Sequence, residues 1–165
     1  MKYFFIIIFI LIYFSFGLKL GYTATSPWYT HITYSFQHAS IMHLLINSFA
    51  FWTLYRVLER YIVSWHIAII ALFAAVSMSF FTEYSIVVVG ASGMIYAMMG
   101  MYFFLVSIHK IHFKDKTTLI VSVISVITFL IISFLKHNTA GMLHLLCLLF
   151  GYFITVFYWL LNKKL

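Results

Sequence analysis

Ser92 stands within Gly90-Ala91-Ser92-Gly93 at the head of an apolar run, while His43 with Asn47, and separately His144, stand in two other such runs. A serine hydroxyl is a weak nucleophile until a neighbouring base takes its proton, and a neutral imidazole suits that task. Ser92 is therefore the candidate nucleophile of an acyl transfer and His144 the candidate base. The tetrahedral intermediate of such a reaction needs fixed donors for its oxyanion. His43 and Asn47, four residues apart and so on one helix face, are candidate donors. The backbone N–H of Ser92, at the positive end of its helix, is a third. Ser92 and Tyr96 form an i, i+4 pair, so the Tyr96 ring can sit beneath whatever base meets the serine.

The elements that must carry these groups belong to a membrane. The 165 residues are 65% hydrophobic and 8% charged, with a mean hydropathy of +1.07, against roughly 25% charged in an average soluble domain. Apolar runs of about 20 residues suit a helix crossing a hydrocarbon core. Six are present, near 3–20, 40–58, 64–82, 87–108, 118–135 and 139–161. Period-2 alternation is absent from them, which argues against a transmembrane barrel. The expectation is an all-α membrane protein, a six-helix bundle in a single polytopic domain over 1–165. Polar side chains at membrane depth are costly and face the bundle interior, where they mark functional sites.

The formal charge of +7 marks topology rather than a nucleic-acid partner, since a basic face on a soluble domain is missing. With the amino terminus inside, Lys2, Arg56, Arg60, Lys110, Lys114, Lys116, Lys163 and Lys164 are cytoplasmic, and only Lys19 and Lys136 are outside. That distribution fits the positive-inside rule and puts both termini in the cytoplasm. Lys2 ahead of an apolar run also suits a signal peptide, but the run is long and lacks a clean small-x-small cleavage site, so a retained helix is expected. The abundance of Phe, Ile and Lys with few Gly and Pro fits a bacterial plasma membrane. Residues 21–39 form the long outer connection, whose Tyr22, Trp28, Tyr29, Tyr34 and Phe36 suit the headgroup level.

This topology makes the second, fourth and sixth spans parallel, with His43, Ser92 and His144 all near their starts. Roughly 13, 18 and 19 residues separate them from Arg56, Lys110 and Lys163, or about 20 to 29 Å at 1.5 Å per residue. All three groups are thus expected in the outer half of the bilayer. Gly93, Ala97 and Gly100 make a small-residue face for close helix contact, and His144, Cys147 and Gly151 fall on one side of the last span.

Glu59, Glu83 and Asp115 are the only acids, and all lie at span ends or in loops. Neither a Ser-His-Asp triad nor an aspartate pair can form in the interior, so a Ser-His dyad is what the chain offers. A His-Glu-x-x-His zinc motif is absent, and no metal is expected. Cys147 is the single cysteine, which excludes an internal disulfide. Each site residue also has a plainer role. A membrane serine often bonds the carbonyl four residues back, and His43 or Asn47 can be interhelical glue. His144 can be a core histidine, His38 a brace for the outer loop, and Glu59 a local partner of Arg56 and Arg60. Scarce Gly and Pro argue against a transporter built on broken helices.

The stretches His38-Ala-Ser-Ile-Met-His43-Leu-Leu-Ile-Asn47, Glu59, Gly90-Ala-Ser-Gly-Met-Ile-Tyr96-Ala-Met-Met-Gly100, and His144 with Gly151 resemble the rhomboid intramembrane serine proteases in order and spacing, over about 27–151. The resemblance implies a six-helix fold with its core at about 27–161, and no cofactor. It assigns Ser92 as nucleophile, His144 as base, His43 and Asn47 as oxyanion contributors, and Tyr96 as packing partner of His144, with Gly90, Gly93 and Gly151 supporting. It also implies single-span transmembrane protein substrates, cleaved at small residues near a helix-destabilising stretch, in contact with membrane lipid. The oligomeric state is left open. Two positions depart from the family pattern: Trp28 is followed by Tyr29 rather than arginine, and Cys147 stands where a glycine is usual three residues after the base. A catalytically silent relative that binds transmembrane helices is the alternative these departures suggest.

Overall fold

The computed structural model describes residues 1–16, 19–111, 116–135 and 140–162. Six long helices correspond to the six apolar runs: α1 (Lys2–Phe16), α3 (Ile41–Leu58), α4 (Ser64–Ser79), α5 (Ser92–Ser107), α6 (Lys116–Leu135) and α7 (Gly141–Leu161), with a short α2 (Thr30–Thr33) in the outer connection. By length and composition α3 and α7 are able to cross a membrane; α1, α4, α5 and the described part of α6 are shorter apolar helices. Lys114, Asp115, Lys136, Lys163 and Lys164, and the side chain of Lys116, lie outside the described residues.

α5 is the centre of the bundle. Met94, Ile95, Tyr96, Ala97, Met98, Met101, Phe104 and Leu105 are all buried, so the helix is covered on every side, by α3, α4 and α7. A helix apolar all round must be enclosed in this way or face lipid. The outer helices do the latter. Ile7, Leu11 and Phe14 of α1, Phe49 of α3, Phe73 of α4 and Phe153 and Phe157 of α7 are all exposed, while His38, Asn47, His144 and Thr155 are buried. An apolar exterior around a polar interior is the arrangement hydrocarbon solvent imposes.

The expected fourth span starts five residues early. Val87 to Val89 are not helical: Val88 pairs with Tyr22 as an isolated antiparallel bridge, and Gly90 takes a φ of 124° that only glycine adopts at low cost. The valines are β-branched and favour extended backbone, so the apolar run conceals an extended segment followed by a turn. The helix begins at Ser92 itself.

The connection 21–39 is also less superficial than its aromatics suggest. Trp28 and Tyr29 are exposed, but Tyr22 and Tyr34 are fully buried. Tyr34 donates its hydroxyl proton to the Ala75 carbonyl (3.0 Å) and accepts the Gly90 N–H at its own carbonyl (2.9 Å). At the opposite end Glu59 pairs with Lys2 of α1 at 2.5 Å, not with its helix neighbours as expected. Arg56 lies over the Trp52 ring, 4.8 Å from its centroid. Approach of α1 alongside α3, through the Phe5, Phe9 and Phe51 rings, brings the lysine to Glu59.

Candidate active site

Three helix starts meet at one end of the bundle. The parallel course expected for α3, α5 and α7 is what brings them there. Ser92 is the first residue of α5, and its N–H belongs to the first turn, which has no intrahelical acceptor. His43 is in the first turn of α3, which Ser40 caps by accepting the His43 N–H at its Oγ (3.2 Å). His144 is in the first turn of α7.

The Ser92 Oγ is 2.8 Å from His144 Nε2. The Tyr96 ring stacks on the imidazole at a centroid distance of 4.4 Å and an angle of 17°, one turn below Ser92 as the i, i+4 spacing predicts. His144 Nδ1 is 2.8 Å from the Oγ of Ser133 on α6. A serine inside an apolar helix carries no motif, and Ser133 is the member of the cluster that sequence reasoning missed.

His43 and Asn47 converge on the turn before Ser92. A Cβ built on Gly90 would lie 2.8 Å from His43 Nε2 and 3.1 Å from Asn47 Nδ2, so the absent side chain at Gly90 is what admits both. Asn47 Nδ2 is buried and has no hydrogen-bond partner among the described residues. An amide donor left unpaired in a buried site costs free energy, unless a ligand atom accepts from it. These groups line a cavity of about 370 Å³ with Ala39, Ala140 and the extended segment 86–89.

Second supports hold this arrangement. His38 Nε2 accepts the Ala91 N–H at 3.5 Å, which keeps the turn in place. Burial, and then the neighbouring His43, lower the pKa of His38 to about 3, so its ring stays neutral and can accept. Gly93 leaves room for the Tyr34 hydroxyl, which would lie 2.9 Å from a Cβ there. At Gly151 and Gly100 the backbones of α5 and α7 touch: a Cβ on Gly151 would overlap the Ala97 carbonyl, and one on Gly100 the Leu148 carbonyl.

The family description "Rhomboid domain" matches residues 25–161 of this chain. The chain belongs to the rhomboid family. Rhomboids are integral membrane proteins and are generally intramembrane serine proteases, with inactive members among them. No curated protein matches the chain.

Both departures from the rhomboid pattern have a structural account. Cys147 is fully buried, its sulfur 3.5 Å from where a Gly93 Cβ would be and 3.8 Å from the Ala74 carbonyl. The sulfur is taken up there while Ser92 Oγ stays within 2.8 Å of His144 Nε2. The connection 21–39 is held without an arginine. Buried Gln37 accepts the Leu20 N–H at Oε1 (2.8 Å), Thr33 donates to the Leu20 carbonyl (2.8 Å), and His31 bonds the Ser79 hydroxyl (2.9 Å).

Proposed function

We propose that this rhomboid is an intramembrane serine endopeptidase, with Ser92 as nucleophile and His144 as base. The observation that carries the reading is the 2.8 Å approach of Ser92 Oγ to His144 Nε2 in a cavity that also exposes an unpartnered buried amide donor at Asn47. Ser92 Oγ bonds to the scissile carbonyl carbon as its proton passes to His144 Nε2, and the carbonyl π pair moves onto oxygen. Asn47, His43 and the Ser92 N–H stabilise that oxyanion. The C–N bond then breaks, with the Nε2 proton going to the leaving nitrogen. Water attacks the acyl-enzyme, gives its proton to Nε2, and the C–Oγ bond breaks as the proton returns to Ser92.

The substrate class that fits is a single-span transmembrane protein. Val88 spends its N–H and carbonyl on Tyr22, so in extended backbone Val87 and Val89 turn theirs the other way. A substrate segment unwound beside 86–89 can pair there, and this requires a stretch with weak helix propensity. The accompanying topology is six spans in one domain over 1–165, both termini cytoplasmic and the cavity in the outer half of the bilayer, in a bacterial plasma membrane.

The alternative is a silent relative that binds transmembrane helices. Cys147 and the missing arginine favoured it, and both are accommodated without separating Ser92 from His144. The experiment is cleavage of a panel of single-span substrates by purified protein, comparing wild type with Ser92→Ala and His144→Ala at matched melting temperature. Product from wild type only is expected. Absence of wild-type cleavage with substrate binding intact would establish the silent relative instead.

A further inference from the structure

Ser133 sits near the end of α6, and among that helix's described side chains it alone is buried. Its Oγ lies 2.8 Å from His144 Nδ1, and it also hydrogen-bonds the Tyr96 hydroxyl. For Ser92 to give its proton to Nε2, that nitrogen must carry the lone pair, so the imidazole proton must be on Nδ1. His144 is 7% exposed, and a buried Nδ1–H needs an acceptor. Ser133 Oγ can accept it while donating its own proton to the Tyr96 oxygen. The ring is then held at both nitrogens by Ser92 and Ser133 and on one face by Tyr96. Among the described residues no carboxylate is available for this work, since Glu59 lies at the carboxyl end of α3 and Glu83 in the loop after α4.

We infer that Ser133 is a positioning residue that fixes the Nδ1–H tautomer and ring orientation of His144 by accepting a hydrogen bond from Nδ1. Its catalytic consequence rests on the protease reading above; the tautomer does not. A neutral hydroxyl orients the ring but brings no full charge to the imidazolium formed in the reaction. Its removal therefore lowers kcat by about tenfold, the worth of one hydrogen bond, far less than loss of the base.

The test uses the full chain in lipid nanodiscs with 15N-labelled histidine, His144 signals being assigned by their loss in His144→Ala. Wild type should show a protonated Nδ1 and an unprotonated Nε2. Ser133→Ala should show mixed tautomers and about tenfold lower kcat, with KM unchanged and at most a small fall in melting temperature, and Ser133→Thr should restore the tautomer and kcat. A wild-type tautomer and kcat in Ser133→Ala would overturn the inference. So would a loss that follows KM and melting temperature and is not restored by threonine. If wild type cleaves no substrate, the protease reading fails, while the nitrogen spectrum still decides what Ser133 does.

Discussion

Between α5 and α7 the two backbones touch, with Gly151 against the Ala97 carbonyl and Gly100 against Leu148 and Tyr152. α6 behaves differently. Ile120, Ile124, Ile127, Phe129 and Ile131 along it are exposed, and it reaches the site through one buried hydroxyl, Ser133. The first contact sets where His144 stands relative to Ser92, by close packing that tolerates no added atoms. The second adds one directional bond to the ring, at Nδ1, beside the Ser92 bond and the Tyr96 stack that α5 supplies. The position of His144 is thus set by the α5–α7 seam, while α6 contributes to its ring only the hydroxyl at Nδ1.

The sharpest way to break this division is at the seam. Gly151→Leu must push α5 from α7, and overpacking against backbone is expected to cost about 3 kcal/mol or more, with loss of cleavage and a large fall in melting temperature in detergent. A melting temperature within a few degrees of wild type would show that the seam is not the constraint. Next come the proposed oxyanion donors, which belong to neither contact. Asn47→Ala should lower kcat by about 10² to 10³ with folding intact, and steady-state kinetics on a cleavable substrate measures this; unchanged kcat would remove Asn47 from the reaction.

Cys147→Gly probes the seam more gently. It introduces the usual family residue but removes a buried sulfur and adds a helical glycine, so a loss of about 1 to 2 kcal/mol is expected. Cleavage should be unaltered, and a rise in kcat would mean that Cys147 had been displacing the dyad. The smallest effect is expected on the exposed face of α6. Ile124→Ala truncates an exposed side chain, so stability should stay within about 0.5 kcal/mol of wild type, with the melting temperature nearly unchanged. A drop comparable to that of Gly151→Leu would abolish the contrast between the two regions.

The seam was legible in the sequence because small residues recur there at helical spacing, as Gly93, Ala97 and Gly100 do. The meeting of Ser92 with His144, and the stacking of Tyr96, followed from parallel spans and an i, i+4 step. Ser133 was not legible. A lone hydroxyl in an apolar helix has the same sequence appearance whether it bonds its own backbone or a catalytic base, and only the approach of α6 to α7 distinguishes them. The start of α5 was misread for a related reason: three valines are as apolar as a helix turn, and periodicity over so short a run cannot separate extended from helical backbone. Glu59 was assigned to its sequence neighbours, whereas its partner Lys2 is 57 positions away and is delivered by the packing of α1 on α3.

The central claim is that His144 makes the Ser92 hydroxyl nucleophilic. Reaction of the purified protein with a fluorophosphonate, followed by intact-mass and peptide mass spectrometry, tests it without knowledge of the natural substrate. A single phosphonyl adduct on Ser92 is expected in wild type and none in His144→Ala over the same time. Adduct formation at equal rates in both, or none on Ser92 in folded wild-type protein, would contradict it.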